Sequence, residues 1–157
     1  MATYSNVKIR NFDPLAVIKA PVGSSTVVAP GDLIYLTGTT SGQVAKVMGT
    51  GSAASSGNTH FAGVALVGSE SGDISPISVA TRAVINIKIA SSGTDSDIGA
   101  AYKFSAGANG TDWEVTKATA LGIMWAMEYK AQGSYCDMMI NASPTLVAST
   151  KLFDTTS

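Results

Sequence analysis

Short apolar runs, each cut off by glycine, proline or a polar cluster within a few residues, recur along the whole chain, and no uninterrupted helical periodicity of twelve residues survives between them. The pattern predicts an all-β protein. Strands are expected at 15–19, 26–28, 33–37, 43–47, 61–67, 74–79, 83–89, 101–105, 113–116, 121–127 and 135–140. So many strands suggest a β-barrel or a jelly-roll-like sandwich. The cleanest alternation is Val84-Ile85-Asn86-Ile87-Lys88-Ile89, which puts Ile85, Ile87 and Ile89 on one face of a half-buried strand. By contrast Gly122-Ile123-Met124-Trp125-Ala126-Met127 is apolar or small at every position. Such a strand is covered on both faces, by a second sheet or by a partner chain.

A repeat runs through this pattern. Gly31-Asp32-Leu33-Ile34-Tyr35-Leu36-Thr37 is followed by Gln43-Val44-Ala45-Lys46-Val47 and by Phe61-Ala62-Gly63-Val64-Ala65. Later, Gly99-Ala100-Ala101-Tyr102-Lys103-Phe104-Ser105 is followed by Glu114-Val115-Thr116-Lys117-Ala118 and Leu121-Gly122-Ile123-Met124. Each copy is a strand, a hairpin return carrying a lysine, and a glycine-containing buried strand, so two related halves would close one barrel. The domain is expected at 14–142, between an N-terminal arm at 1–13 and a C-terminal arm at 143–157. The arms lack alternation but carry isolated anchors, Tyr4, Phe12, Leu146, Leu152 and Phe153, of the kind that order against a partner. The stretch 49–58 is small, uncharged and linker-like, and is expected to be a long surface loop facing outward or toward a sister subunit.

Composition narrows the partners. Charged residues are 13% of the 157 and the formal net charge is −1, with no basic block that would neutralise phosphates, so nucleic acid is not an expected partner. No apolar stretch reaches the length of a membrane span and the N-terminus lacks a signal-peptide run, so a soluble, membrane-free protein made in a reducing cytoplasm is expected. Cys136 is the only cysteine, which excludes an intrachain disulfide and a thiolate metal cluster.

Candidate chemistry is sparse. His60 is the one histidine and would have to be the base of any triad, yet it sits where the polar loop meets a strand, and no serine has the glycine flanks of a nucleophile elbow. Asp95 and Asp97 lie two apart in a loop without the further oxygens or closing glutamate of a calcium site, so turn chemistry is the better reading. Gly49-Thr50-Gly51 has no following Gly-Lys-Ser, and Glu128 and Asp137 carry no specific signal. No catalytic, cofactor or metal residue is therefore named, and the protein is expected not to be an enzyme. Trp113, Trp125 and Tyr129 are candidates for an aromatic platform. Trp113 follows the turn Asn109-Gly110, where an exposed ring would stack on a ligand or a neighbouring chain and a folded-in ring would close the barrel end.

The blocks Ala29-Pro30-Gly31-Asp32-Leu33-Ile34-Tyr35-Leu36, Val44-Ala45-Lys46-Val47 and Phe61-Ala62-Gly63-Val64-Ala65-Leu66 resemble the small β-barrel decoration, or cement, proteins of tailed-phage heads. Val79-Ala80-Thr81-Arg82-Ala83-Val84-Ile85-Asn86-Ile87 resembles that family's arginine-plus-hydrophobic strand, and residues 119–127 its closing strand. Ala83 stands where such patterns often have glycine, and Gly99-Ala100 replaces a second Gly-Asp. The resemblance implies a homo-oligomer, commonly a trimer, on the outer head surface that clamps adjacent major capsid subunits, with no catalytic residues. Tyr4, Phe12, Trp113, Leu152 and Phe153 are the expected capsid or subunit contacts. Competing readings are a carbohydrate-binding β-sandwich using Trp113, a hydrolase or lyase depending on His60, Asp95 or Asp97, and a phage tail component.

Overall fold

The computed structural model describes residues 7–39, 42–48, 60–107, 112–118 and 123–142. Their strands are β1 (Lys8–Phe12), β2 (Val17–Ala20), β3 (Leu33–Thr39), β4 (Gly42–Val47), β5 (Phe61–Ala65), β6 (Ile77–Ala80), β7 (Arg82–Ile89), β8 (Ala101–Ala106), β9 (Trp113–Lys117), β10 (Met124–Ala126) and β11 (Tyr135–Asn141). A 3-10 turn at Pro14–Ala16 is the only helical element among the described residues. The protein is all-β, as the alternation predicts.

The strands form two sheets. One runs β2-β6-β5-β3-β4, and the other β1-β7-β11-β10-β8-β9. In the second, β9 also pairs parallel with β7, Lys88 opposite Glu114 and Ile89 opposite Val115, which closes β7, β11, β10, β8 and β9 into a five-stranded barrel with β1 laid outside β7. The alternation in β7 holds: Ile85, Ile87 and Ile89 are buried in the barrel, with Val84, Asn86 and Lys88 outside. Tyr102, Phe104, Trp113, Val115, Ala126, Cys136 and Met138 complete the filling.

The first sheet repeats the barrel strand for strand. β2, β3, β4, β5 and β6 have the neighbours of β7, β8, β9, β10 and β11, and the register agrees: Ile18 faces Val79 as Ile85 faces Met138, and Leu33 faces Val64 as Ala101 faces Trp125. The turns agree as well. The Gly31 N–H donates to the Ala65 carbonyl at 2.8 Å and Gly99 to Ala126 at 3.0 Å, both glycines having positive φ (91° and 78°). Leu66 donates to Ser78 at 2.9 Å as Met127 donates to Asp137 at 3.0 Å. Even the barrel closure has its counterpart, an isolated parallel bridge of Val22 with Ala45, where the Ala45 N–H donates to the Pro21 carbonyl at 2.8 Å.

The repeat is therefore real in the backbone, but it differs from the expectation in two respects. Each half builds its own five-stranded sheet instead of contributing to one shared barrel. The two residues that marked the repeat are also not equivalent: by register Lys46 corresponds to Thr116 and Gly63 to Met124. Gly63 has its own reason, a φ of 145° at an irregular step of the β3–β5 register, where a Cβ would lie 2.0 Å from the Ala80 carbonyl oxygen.

The halves are joined by apolar contact. Leu33, Phe61, Val64 and Ala80 of the first sheet belong to the same buried cluster as the barrel interior. The Phe61 ring lies 5.1 Å from Phe104, which in turn lies 5.7 Å from Trp113. Aromatic pairs of this kind contribute about 0.5–1.5 kcal/mol beyond the area they bury. The opposite face of the first sheet forms a smaller core with Val22, Val28, Ile34, Leu36, Ala45 and Val79.

Several boundaries move. Residues 26–28 reduce to one bridge, Val28 with Ser69. Leu15, placed at the start of a strand by its pattern, stands on the 3-10 turn. From Lys8 on, the expected N-terminal arm is strand β1, paired antiparallel with β7. The expected loop 49–58 and the tail 143–157 lie outside the described residues.

Candidate interaction surface

The expected contact residues separate. Trp113 is 0% exposed: strand parity puts it on the face of Val115, inside the barrel, with Glu114 and Thr116 outward. This corrects its assignment to an interface, because a ring packed on Phe104 inside the barrel offers no face to a partner or a sugar. Phe12 is partly exposed at the end of β1. Tyr4, Leu152 and Phe153 lie outside the described residues.

Phe12 leads into the most exposed apolar corner among the described residues. The Asp13 carboxylate accepts the Leu15 N–H at 2.9 Å and pairs with Arg82 at 3.4 Å, and the Asp13 N–H donates to the Arg82 carbonyl at 3.0 Å. Pro14 fixes the backbone between them, so the turn is rigid. It holds Leu15 at 95% exposure. Beside it a hollow of about 200 Å³ is lined by Phe12, Asp13, Arg82, Val84 and Met139.

A second apolar surface crosses the outside of the barrel. Val84 pairs with Met139, Met139 with Trp125, and Trp125 with Ala101, giving one cross-strand row over β7, β11, β10 and β8. Trp125 is 40% exposed. The expectation that 122–127 is covered on both faces is thus met by the chain on one face only, where Met124 and Ala126 are buried. Another hollow, about 370 Å³, borders the row at Ala101, Ile123, Trp125 and Asn141.

The acidic residues hold loops. Asp95 accepts the Gln132 N–H at 2.9 Å and the Tyr129 hydroxyl at 2.7 Å, bonds that hold its pKa below the ordinary carboxylate value and raise that of Tyr129. Asp97 pairs with Lys117, which raises the lysine. Asp137 takes the Asn86 amide at 2.8 Å and Arg10 at 3.4 Å, while Glu128 accepts the Asp137 N–H at 3.1 Å. Buried Ser96 ties the 95–97 loop to the strand end beyond β10, donating to the Glu128 carbonyl at 2.8 Å and accepting the Lys130 N–H at 2.5 Å. Cys136 is buried, and burial pushes its thiol pKa up, away from reactivity. Among the described residues no three metal-ligating side chains cluster. His60 is half-buried at the start of β5, with its carbonyl accepting from the Leu36 N–H at 3.1 Å.

The chain is an all-β scaffold that exposes apolar side chains at a corner held by Asp13, Pro14 and Arg82 and along a partly exposed cross-strand row. No family model and no curated protein matches it. Among solved structures it is similar to the head fiber gp8.5 N base of bacteriophage phi29, at 16% sequence identity and a TM-score of 0.45, over 79% of this chain and 93% of that one. A likeness of that degree says nothing about what this chain binds.

Proposed function

We propose that the chain is a non-enzymatic structural protein of a tailed-phage head, a decoration protein that binds the outer surface of the assembled shell and clamps adjacent major capsid subunits. The observation that carries this reading is the Phe12–Leu15 corner, an apolar projection locked by Asp13, Pro14 and Arg82. Ordering costs are already met in the folded chain, so burying Leu15 in a partner's pocket adds affinity with little loss of entropy. The blocks that resemble decoration proteins support it: they fall on β3, β4, β5, the end of β6, β7 and β10, strands of both sheets. A shell under internal pressure fails at contacts between subunits, and a protein bound across such a contact resists separation by its own binding free energy. About 800 Å² per partner suffices for a specific contact, and many copies multiply the effect.

The test is co-sedimentation of the purified chain with expanded and unexpanded heads built from the capsid protein encoded beside it. Saturable binding to expanded heads near one copy per capsid subunit, weakened at least tenfold by Leu15→Asp, is expected. No binding to either shell overturns the reading. Glycan recognition rested on an exposed Trp113, which is buried, so a glycan array serves as the counter-test.

A further inference from the structure

The repeat gives the outer edge of β2 a counterpart whose occupant is visible. By register, Val17 opposite Ala80 corresponds to Val84 opposite Met139, and Val64 to Trp125. Ala16-Val17-Ile18-Lys19 therefore lies where the second half has Ala83-Val84-Ile85-Asn86, and only Lys19 differs in residue type from its equivalent. The backbone alternates alike in both. At the start of β7 the Thr81 carbonyl accepts the Ala142 N–H at 2.7 Å on the β11 side, and the Arg82 carbonyl accepts the Asp13 N–H at 3.0 Å on the β1 side. Around β2 the Ala16 carbonyl accepts the Thr81 N–H at 2.9 Å on the β6 side, and the Pro21 carbonyl accepts the Ala45 N–H at 2.8 Å on the opposite side. Alternation along the strand thus turns the N–H and C=O groups of Val17 and Lys19 away from β6, as those of Val84 and Asn86 turn away from β11 toward β1.

On β7 that edge is filled: β1 lies antiparallel along it, with Lys8 opposite Asn86, Ile9 opposite Ile85 and Phe12 opposite Ala83. On β2, which ends its sheet, the edge is open: among the described residues the side away from β6 meets only the bridge of Val22 with Ala45, beyond the strand. Val17 and Ile18 are half-buried and Lys19 is exposed. Open backbone groups in a row at a sheet edge are a template for one kind of ligand, another extended chain. The edge also continues the exposed corner, because Leu15 stands at the position of Arg82, where β1 runs out.

We infer that the outer edge of β2 accepts an extended segment of the shell protein as an added antiparallel strand, with an apolar residue opposite Ile18 and an acidic residue opposite Lys19. This rests on the shell-binding reading and names what the shell presents. β1 shows the fit, since its Ile9 packs against the buried cluster at Ile85, the equivalent of Ile18. The one residue that differs between the two edges selects the partner. The Lys19 ammonium donates to the neutral Ser78 hydroxyl at 2.6 Å, so a carboxylate across from it adds an opposite charge. The β1 of a second copy would set Lys8 against Lys19, and like charges directly opposite are destabilising. The occupant of this edge is therefore a foreign segment.

Hydrogen exchange of the full chain, free and bound to expanded heads, reads the edge directly. The Val17 and Lys19 amides are expected to exchange about tenfold more slowly on heads, while those of Ile18 and Ala20, already turned toward β6, change little. Lys19→Pro removes the outward N–H and leaves the β6 ladder in place, so it is expected to keep its far-ultraviolet circular dichroism and to bind heads about tenfold more weakly in co-sedimentation. Lys19→Glu is expected to weaken binding as much, and Lys19→Asn, which copies the β7 edge, to fall between it and the wild type. Heads that bind the chain without slowing the Val17 and Lys19 amides, or wild-type affinity in Lys19→Pro or Lys19→Glu, overturn the inference and leave the shell reading standing. Should Lys19→Pro not fold, the exchange of the wild-type chain decides. A chain that binds neither shell overturns both.

Discussion

The first sheet and the barrel share a backbone plan and differ in what covers the same row of positions. In the first sheet the row carries Ala80 and Val64, both buried in the cluster shared with the barrel interior, and β5 is buried at all five positions. In the barrel, β10 is buried on one face and shows Trp125 on the other. One topology thus serves as an internal layer and as an outer wall, and the side chains of a single row mark the difference. What a strand can bind is set by its register neighbours more than by its own sequence.

The contact between the halves carries the largest expected effect. Phe61→Ala removes the ring that meets Phe104 and should cost about 3–5 kcal/mol in urea unfolding, the loss expected for a buried phenylalanine. Gly63→Ala should cost on the order of 3 kcal/mol, because a Cβ collides with the Ala80 carbonyl oxygen and the φ of 145° disfavours any side chain. The equivalent Met124→Ala change in the barrel acts differently, by leaving a cavity, so the two variants separate backbone approach from packing. Asp32→Ala should cost about 1–3 kcal/mol by leaving the Ala29 N–H without its 2.8 Å carboxylate bond, and Ala100, its counterpart, is already alanine.

Acid has a smaller effect, through the barrel's loop carboxylate. The folded-state pKa of Asp95 is depressed by the Gln132 N–H and the Tyr129 hydroxyl, so its contribution is present above the unfolded carboxylate value and is lost as pH falls through the folded one. Unfolding midpoints measured below about pH 4 should therefore fall less steeply in Asp95→Asn than in the wild type. The smallest effect belongs to the exposed corner: Leu15→Asp should change stability by less than about 0.5 kcal/mol, because a side chain at 95% exposure has no contact to lose.

Fold class and most strands were legible because period-two burial leaves a mark wherever one face of a strand is covered. β1 left none: Lys8, Asn11 and Phe12 are exposed, and the strand is held by backbone pairing to β7 with Ile9 half-buried. The repeat was visible in Gly31 and Gly99, whose positive φ both turns need, but Lys46 and Gly63 misaligned it because surface lysines and a local glycine obey no common constraint. Trp113 was within reach: two residues before the apolar Val115 and flanking Glu114, it shares the inward parity. The row through Val84, Met139, Trp125 and Ala101 was not, since its members are scattered over 84–139 and meet only when the register of four strands is known.

Whether the chain clasps a capsid from outside, as proposed, is decided by electron cryo-microscopy of expanded heads saturated with the purified chain. Ordered density spanning the contacts between adjacent capsid subunits, with the Leu15 corner against the shell, is the predicted result. Bare heads at saturating protein, or density confined to the tail, would contradict it.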